Sequence, residues 1–220
     1  MPKKPVRKTP PKPHPRPVLA RQIRIIGGHW KRTTLPVLDV GGLRPTPDRV
    51  RETVFNWLTH LLDGQWSGTT CLDLFAGTGA LGLEAASRGA ARVMLVDDNA
   101  AVARQLETIK EKLQAPQVTI LRSDARSAAH GLQRRMNGWS DRFNLIFLDP
   151  PYHADWLPQM LPLCADLLAI GGLVYVEAER SLDIADRPDW LAGWKIVRAD
   201  QAGLVFFHLL QREIMPKIQA

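Results

Sequence analysis

CLDLFAGTGALG, residues 71–82, reads as a buried strand that runs into a glycine-rich turn and out along a helix. Gly77, Gly79 and Gly82 satisfy the spacing G-x-G-x-x-G, which lets a backbone turn sharply and come close to a bound nucleotide. That spacing alone suits any adenosine-bearing ligand, a nicotinamide dinucleotide included. Asp73 stands four residues before Gly77 and changes the balance. A pyrophosphate is repelled by a nearby carboxylate, whereas an ammonium group is attracted.

Outward from this stretch the chain alternates. ARVMLVD, QVTILRSD, FNLIFLD and GGLVYVEAE are strand-like, and they are separated by the helical patterns ALGLEAASRG, AAVARQLETIKEKLQ, ARSAAHGLQRRM and ADWLPQMLPLCADLL. The last of these is expected to continue up to Gly171-Gly172. Such alternation predicts right-handed βαβ crossovers and a mostly parallel sheet with helices on both faces, an α/β Rossmann-like fold. The ending differs: WKIVRADQAGLVFFHLL predicts two strands around a short turn. A terminal antiparallel hairpin on a parallel sheet is typical of methyltransferases that use S-adenosylmethionine.

Ligands of open α/β sheets sit beyond the carboxyl ends of the strands, and Asp73, Asp97, Asp124 and Asp149 all fall at predicted strand ends. One such aspartate would be ordinary turn chemistry, since Asp often caps the next helix. Four beside a glycine turn point to a site. Asp97 lies 20 residues past Gly77, where a carboxylate can accept from two ribose hydroxyls. Asp124 is placed to read an adenine amino group. With the flanking Phe75, Ala76, Thr78, Asp98 and Ala125, these residues predict a pocket for S-adenosylmethionine.

A second motif, FLDPPY, closes the strand NLIFL. Asp-Pro-Pro by itself is a stiff turn. Next to a methyl-donor loop, Asp149, Pro150, Pro151 and Tyr152 suit methylation of an exocyclic amine on a planar base. The lone pair of such an amine is delocalised into its ring. The Asp149 carboxylate and the Pro150 carbonyl can accept its two N–H groups and favour pyramidalisation of the nitrogen. Tyr152 offers a stacking face for a base drawn out of its helix.

The charge is unevenly spread. Residues 1–51 hold 13 Lys and Arg against two acids, net +11, while residues 52–220 carry −4. A basic arm on a mildly acidic body attracts a polyanion in a salt-sensitive way. Residues 1–20, rich in Pro and Lys, predict a disordered tail. QIRIIGGHWKRTTLPV predicts a β-hairpin around Gly27-Gly28, within a hairpin unit over residues 21–45. RPTPDRVRETVFNWLTHLL predicts a helix, with Thr46 as its N-cap and Pro47 at its first position. Arg24, Lys31, Arg32, Arg44, Arg49 and Arg51 are the candidate phosphate contacts, and Trp30 is available to stack. The catalytic domain is expected over residues 46–215. No apolar run is long enough to cross a bilayer, and the N-terminus lacks the apolar segment of a secretory signal. Cys71 and Cys164 stand apart from any His/Cys cluster, which leads us to expect a reducing cytoplasm and no metal.

With these residues in place, the chain resembles the RsmD family, bacterial methyltransferases that modify guanine N2 in small-subunit (16S) ribosomal RNA. QIRIIGGHWKRTTLPV, GLRPTPDRVRETVFNWL, LDLFAGTGALGLEAASRGA and FLDPPY carry the likeness. The arginine-rich RPTPDRVRE block is the most family-specific of them. The resemblance implies a class I fold with a seven-stranded sheet. It implies guanine N2 as acceptor and, as partner, 16S ribosomal RNA presented in assembled small-subunit particles rather than a free nucleoside; the sulfonium carries its own activated methyl, so no metal is expected, and no membrane. The enzyme is expected to act as a monomer. Many members have Glu in place of Asp97 and Phe in place of Tyr152. The competing readings are an adenine-N6 DNA methyltransferase, a nicotinamide oxidoreductase, and an RNA-binding assembly factor without activity.

Overall fold

The computed structural model describes residues 22–38, 46–152 and 154–213. The expected tail over residues 1–20 and the candidate phosphate contact Arg44 lie outside them. A short antiparallel pair, β1 (Gln22–Arg24) and β2 (Thr34–Pro36), precedes α1 (Asp48–Leu61). The alternating part follows as β3 (Thr70–Asp73), α2 (Ala80–Ser87), β4 (Arg92–Asp97), α3 (Ala100–Leu113), β5 (Val118–Arg122), α4 (Ala125–Arg135), β6 (Phe143–Leu148), α5 (Trp156–Leu167) and β7 (Leu168–Ala178). The hairpin β8 (Trp194–Ala202) and β9 (Val205–Arg212) completes the fold.

The sheet has seven strands in the order β5-β4-β3-β6-β7-β9-β8. β3 to β7 are mutually parallel, and β9 runs antiparallel to both β7 and β8. The order reverses between β3 and β6, the switch point at which such sheets open a crevice. Successive strand residues feed opposite faces: Cys71, Leu145 and Phe147 join the core under α1, α2 and α3, while Leu72, Ile146 and Leu148 join the core under α4 and α5. Both faces are covered, so these strands are apolar throughout rather than alternating.

The N-terminal hairpin docks on α2. Glu84 is fully buried, yet its carboxylate accepts the backbone N–H of Ile26 at 2.6 Å and of Gly27 at 2.8 Å, and pairs with Arg88 Nε at 2.8 Å. Ser87 takes Trp30 N–H through its hydroxyl oxygen at 2.9 Å and His29 N–H through its carbonyl at 2.7 Å. Gly28, at φ +74°, passes so close that a Cβ would lie 1.9 Å from the Ser87 carbonyl oxygen. A side chain there would push the hairpin off its helix.

Two sequence expectations are corrected. α1 begins at Asp48 with Pro47 in the cap position and no side-chain cap; Thr46 is buried and turned inward. α5 stops at Leu167 instead of reaching Gly171-Gly172, because the chain enters β7 at once. The glycines lie in a stretch where the β6–β7 register jumps, from Phe143 opposite Leu168 to Leu145 opposite Leu173, and Gly171 adopts φ +75° there. They serve an irregularity within a strand rather than a helix stop.

Candidate active site

β3 places Asp73 in register with Phe147 of β6, two residues before Asp149, so the glycine loop and the Asp-Pro-Pro-Tyr turn leave neighbouring strands at the switch point. The glycine loop is tightly made. Gly77 and Gly79 have φ of +50° and +78°, and Gly79 N–H bonds back to the Ala76 carbonyl at 2.7 Å. Gly82 lets α2 rest on the sheet, since a Cβ there would lie 2.2 Å from Leu95. Ala76, Gly77, Thr78 and Gly79 are buried, while the half-buried Phe75 meets the ring of Trp156 edge-on at 5.2 Å.

The acids differ in what they hold. Asp73 is buried; its Oδ2 accepts Gly82 N–H at 3.1 Å, and its Oδ1 is buried without a partner of hydrogen-bonding geometry. Burial pushes its carboxyl up to about 7, against the pull of the Gly82 and Phe75 N–H groups. Half-buried Asp97 accepts Gly77 N–H at 2.9 Å on one oxygen and Asn99 N–H at 2.9 Å on the other. Burial raises it, and the two N–H groups oppose the rise. Its exposed neighbour Asp98 is one of the charges that raise it. Asp124 is exposed and takes Ser127 N–H at 2.9 Å as the N-cap of α4, a bond that holds its carboxyl below the usual carboxylate range. The cap holds one Asp124 oxygen, and Ala125 beside it is buried.

A buried carboxylate oxygen lacking a donor, two backbone-braced carboxylates and a glycine turn match an ammonium, a ribose and an adenosine in turn. The residues therefore fit S-adenosylmethionine. They fit a pyrophosphate poorly, because Asp73 lies beneath the loop where its charge would be placed.

The acceptor side is more heavily built than the sequence suggests. Leu148 and Val176 are in register, so the next residues, Asp149 and Glu177, end side by side. Their carboxyl groups interact closely, and two carboxyl groups so near one another do not ionise independently. Burial and then the Glu177 charge push Asp149 well above the usual carboxylate range, while the Thr46 hydroxyl opposes the rise by donating to Asp149 Oδ2 at 3.2 Å. Glu177, only 4% exposed, accepts the Tyr175 hydroxyl at 2.8 Å; burial raises it as well. Pro150 is buried, Pro151 exposed and Tyr152 half-buried.

The basic candidates separate into two kinds. Arg24, Lys31, Arg32 and Arg49 are exposed. Arg51 is not: it is fully buried, with Nε on the Thr46 carbonyl at 3.3 Å and Nη2 on Asp48 at 2.7 Å. It faces inward and cannot meet a phosphate. Trp30 is half-buried and packs on the hydrophobic core, which limits any stacking to its remaining face. Among the described residues no group of three or more His, Cys, Asp or Glu side chains could hold a metal ion.

Glu177, Tyr175 and Thr46 escaped sequence reading as site residues. The signal was there for Glu177, the one charge in the strand LAIGGLVYVEA.

A family described as conserved hypothetical protein 95 matches residues 23–211. The ribosomal RNA small subunit methyltransferase D of Escherichia coli K12 is 43% identical over 197 residues, 87% of this chain and 91% of its own. The chain belongs to the RsmD family. This RsmD-family chain superposes on the solved structure of yhhF from Escherichia coli with a TM-score of 0.72 at 38% identity, covering 89% of this chain and 100% of that one. It also shares a fold with the Thermus thermophilus 16S rRNA N2 G1207 methyltransferase, solved with AdoMet and guanosine, at 23% identity and a TM-score of 0.63, over 89% of this chain and 50% of that one. The fold is the one these methyltransferases share. No helix among the described residues is long and apolar enough to cross a membrane.

Proposed function

We propose that this RsmD-family enzyme transfers a methyl group from S-adenosylmethionine to the exocyclic N2 of a guanine in small-subunit (16S) ribosomal RNA. The substrate is presented by assembled or assembling small-subunit particles in the cytoplasm, and a monomer suffices. One observation carries the reading: a donor loop and an amine-accepting turn leave adjacent strands at the switch point, with Asp73 and Asp149 close enough for their charges to interact. The donor brings an already activated methyl on a sulfonium, so the protein has only to bind and orient.

Asp73 takes the ammonium end, Asp97 the ribose hydroxyls, and Asp124 the adenine, with Phe75 to Gly79, Asp98 and Ala125 forming the walls. Asp149 and the Pro150 carbonyl accept the two N–H groups of the target amine, which holds its nitrogen in line and favours the positive charge that develops there. The prolines fix the carbonyl, and Tyr152 stacks on the extruded base. Arg24, Lys31, Arg32 and Arg49 form the exposed face that meets RNA phosphates, with Trp30 beside them. The test is incubation with tritium-labelled donor and under-modified small subunits, then nucleoside analysis. Label in N2-methylguanosine is expected; label in N6-methyladenosine, or none, would remove the assignment.

A further inference from the structure

Thr46 and Arg51 belong to the R-P-T-P-D-R-V-R-E block, where charge alone suggests a phosphate contact and spacing suggests a helix cap. Both are buried, at 4% and 0% exposure, and Thr46 points toward the acceptor turn. The Thr46 hydroxyl reaches Asp149 Oδ2 at 3.2 Å across 103 residues of chain. Arg51 Nε holds the carbonyl of the same Thr46 at 3.3 Å, and Arg51 Nη2 is anchored on Asp48 at 2.7 Å. The other Asp48 oxygen lies 3.5 Å from the exposed Arg24. A continuous polar strut therefore runs from the basic face to the acceptor carboxyl.

We propose that Thr46 is a positioning residue for methyl transfer: its hydroxyl, braced by Arg51, clamps one oxygen of Asp149 and leaves the other to receive the target amine. The proposal rests on the acceptor role of Asp149 argued above. A hydroxyl that donates to a carboxylate favours its ionised form, and only that form is a strong acceptor for an N–H group. The opposing influences come from burial, from Glu177 on β7 and from Asp73 on β3. The Tyr175 hydroxyl, with Tyr152 nearby, donates to Glu177. The Thr46 hydroxyl also touches Glu177, so it bridges both members of the pair.

The decisive variants are Thr46→Val, which deletes the hydroxyl and keeps the branched shape, and Thr46→Ser, which restores it. In single-turnover methylation of under-modified small subunits, Thr46→Val should slow transfer roughly 10- to 100-fold, the loss of one hydrogen bond to a charged group. Adenosylhomocysteine affinity and KM for the particle should stay near wild type. The acid limb of the pH–rate profile should move to higher pH, and Thr46→Ser should recover both rate and limb. A wild-type rate and an unmoved limb in Thr46→Val would overturn the proposal. A second arm needs no substrate: the Asp149 carboxyl is followed by 13C NMR titration and assigned by its loss in Asp149→Asn. Its midpoint should rise in Thr46→Val and return in Thr46→Ser; an unchanged midpoint overturns the clamp. If wild-type enzyme labels no guanine, the substrate assignment falls, while the titration still decides the role of Thr46.

Discussion

The proposed donor and acceptor halves of the site use the same residue type and build it in opposite ways. The donor aspartates are braced by backbone N–H groups close along the chain: Gly82 for Asp73 at a separation of nine residues, Asn99 for Asp97 at two, and Ser127 for Asp124 at three. The acceptor aspartate is braced by side chains from distant elements, Thr46 at a separation of 103 and Glu177 on the next strand. A backbone donor is supplied by any residue except proline and makes no demand on side-chain identity. Side-chain partners must be of particular types, and those are where single substitutions bite hardest.

The largest effect is therefore expected on the acceptor side. Asp149→Ala should leave adenosylhomocysteine affinity near wild type in calorimetry and lower single-turnover methylation by about 10²- to 10⁴-fold, the range for a positioned acid–base group. A variant that still methylates at a comparable rate would mean the amine is held elsewhere. On the donor side Asp97→Ala should weaken adenosylhomocysteine by roughly 10- to 100-fold, because charge-assisted bonds to two hydroxyls are lost. Asp124→Ala should cost the donor less, since this carboxylate is exposed, and should lower stability by about 1 kcal/mol through the missing cap. Equal losses from the two substitutions would put the adenine contact on a par with the ribose contact and blur the distinction drawn here.

The same contrast explains what could be read from sequence. Glycine spacing and the strand–helix alternation are local signals, and they sufficed for the parallel sheet, its terminal hairpin and the tight turn at Gly77 and Gly79. Glu177 was not legible because its meaning depends on β6 lying beside β7 with Leu148 opposite Val176. Arg51 misled because a charged residue in a basic block reads as surface, and only the packing of α1 on the sheet shows it buried. Thr46 misled in a similar way: a Thr before Pro is a good helix cap in isolation, but a partner 103 residues away outcompetes that local role. The end of α5 failed for the opposite reason, since a Gly-Gly pair marks a break without saying whether helix or strand is interrupted.

Asp73 offers a smaller, pH-dependent test of the donor half. Its carboxyl is raised from 3.8 to about 7 by burial, so in the free enzyme it costs stability once the unfolded chain has ionised. The sign follows: the folded state holds this proton more tightly, so its contribution is fully present below about 4 and is lost as pH rises through 7. Asp73→Asn cannot ionise and should gain melting temperature relative to wild type as the buffer moves from pH 5 to pH 8. The ammonium of adenosylhomocysteine prefers the ionised carboxylate. Wild-type affinity should therefore rise roughly tenfold from pH 6 to pH 8, a rise absent in Asp73→Asn. A flat wild-type affinity would separate Asp73 from the ammonium and leave it as a brace for Gly82 alone.

The smallest effect concerns the basic face, where one helix carries both kinds of arginine. Arg49 is exposed and Arg51 is buried two residues later. Each phosphate contact releases counterions, so Arg49→Ala should flatten the logarithmic salt dependence of RNA binding by about one unit of slope. Between 50 and 200 mM salt that changes affinity only a few-fold. Arg51→Ala should leave the slope unchanged and lower the melting temperature instead, because it strands the Thr46 carbonyl and removes the nearer of the two partners of Asp48. If Arg51→Ala flattened the slope and Arg49→Ala did not, α1 would have to turn its other face to the RNA. That would break the strut to Asp149 and the contrast between the two halves with it.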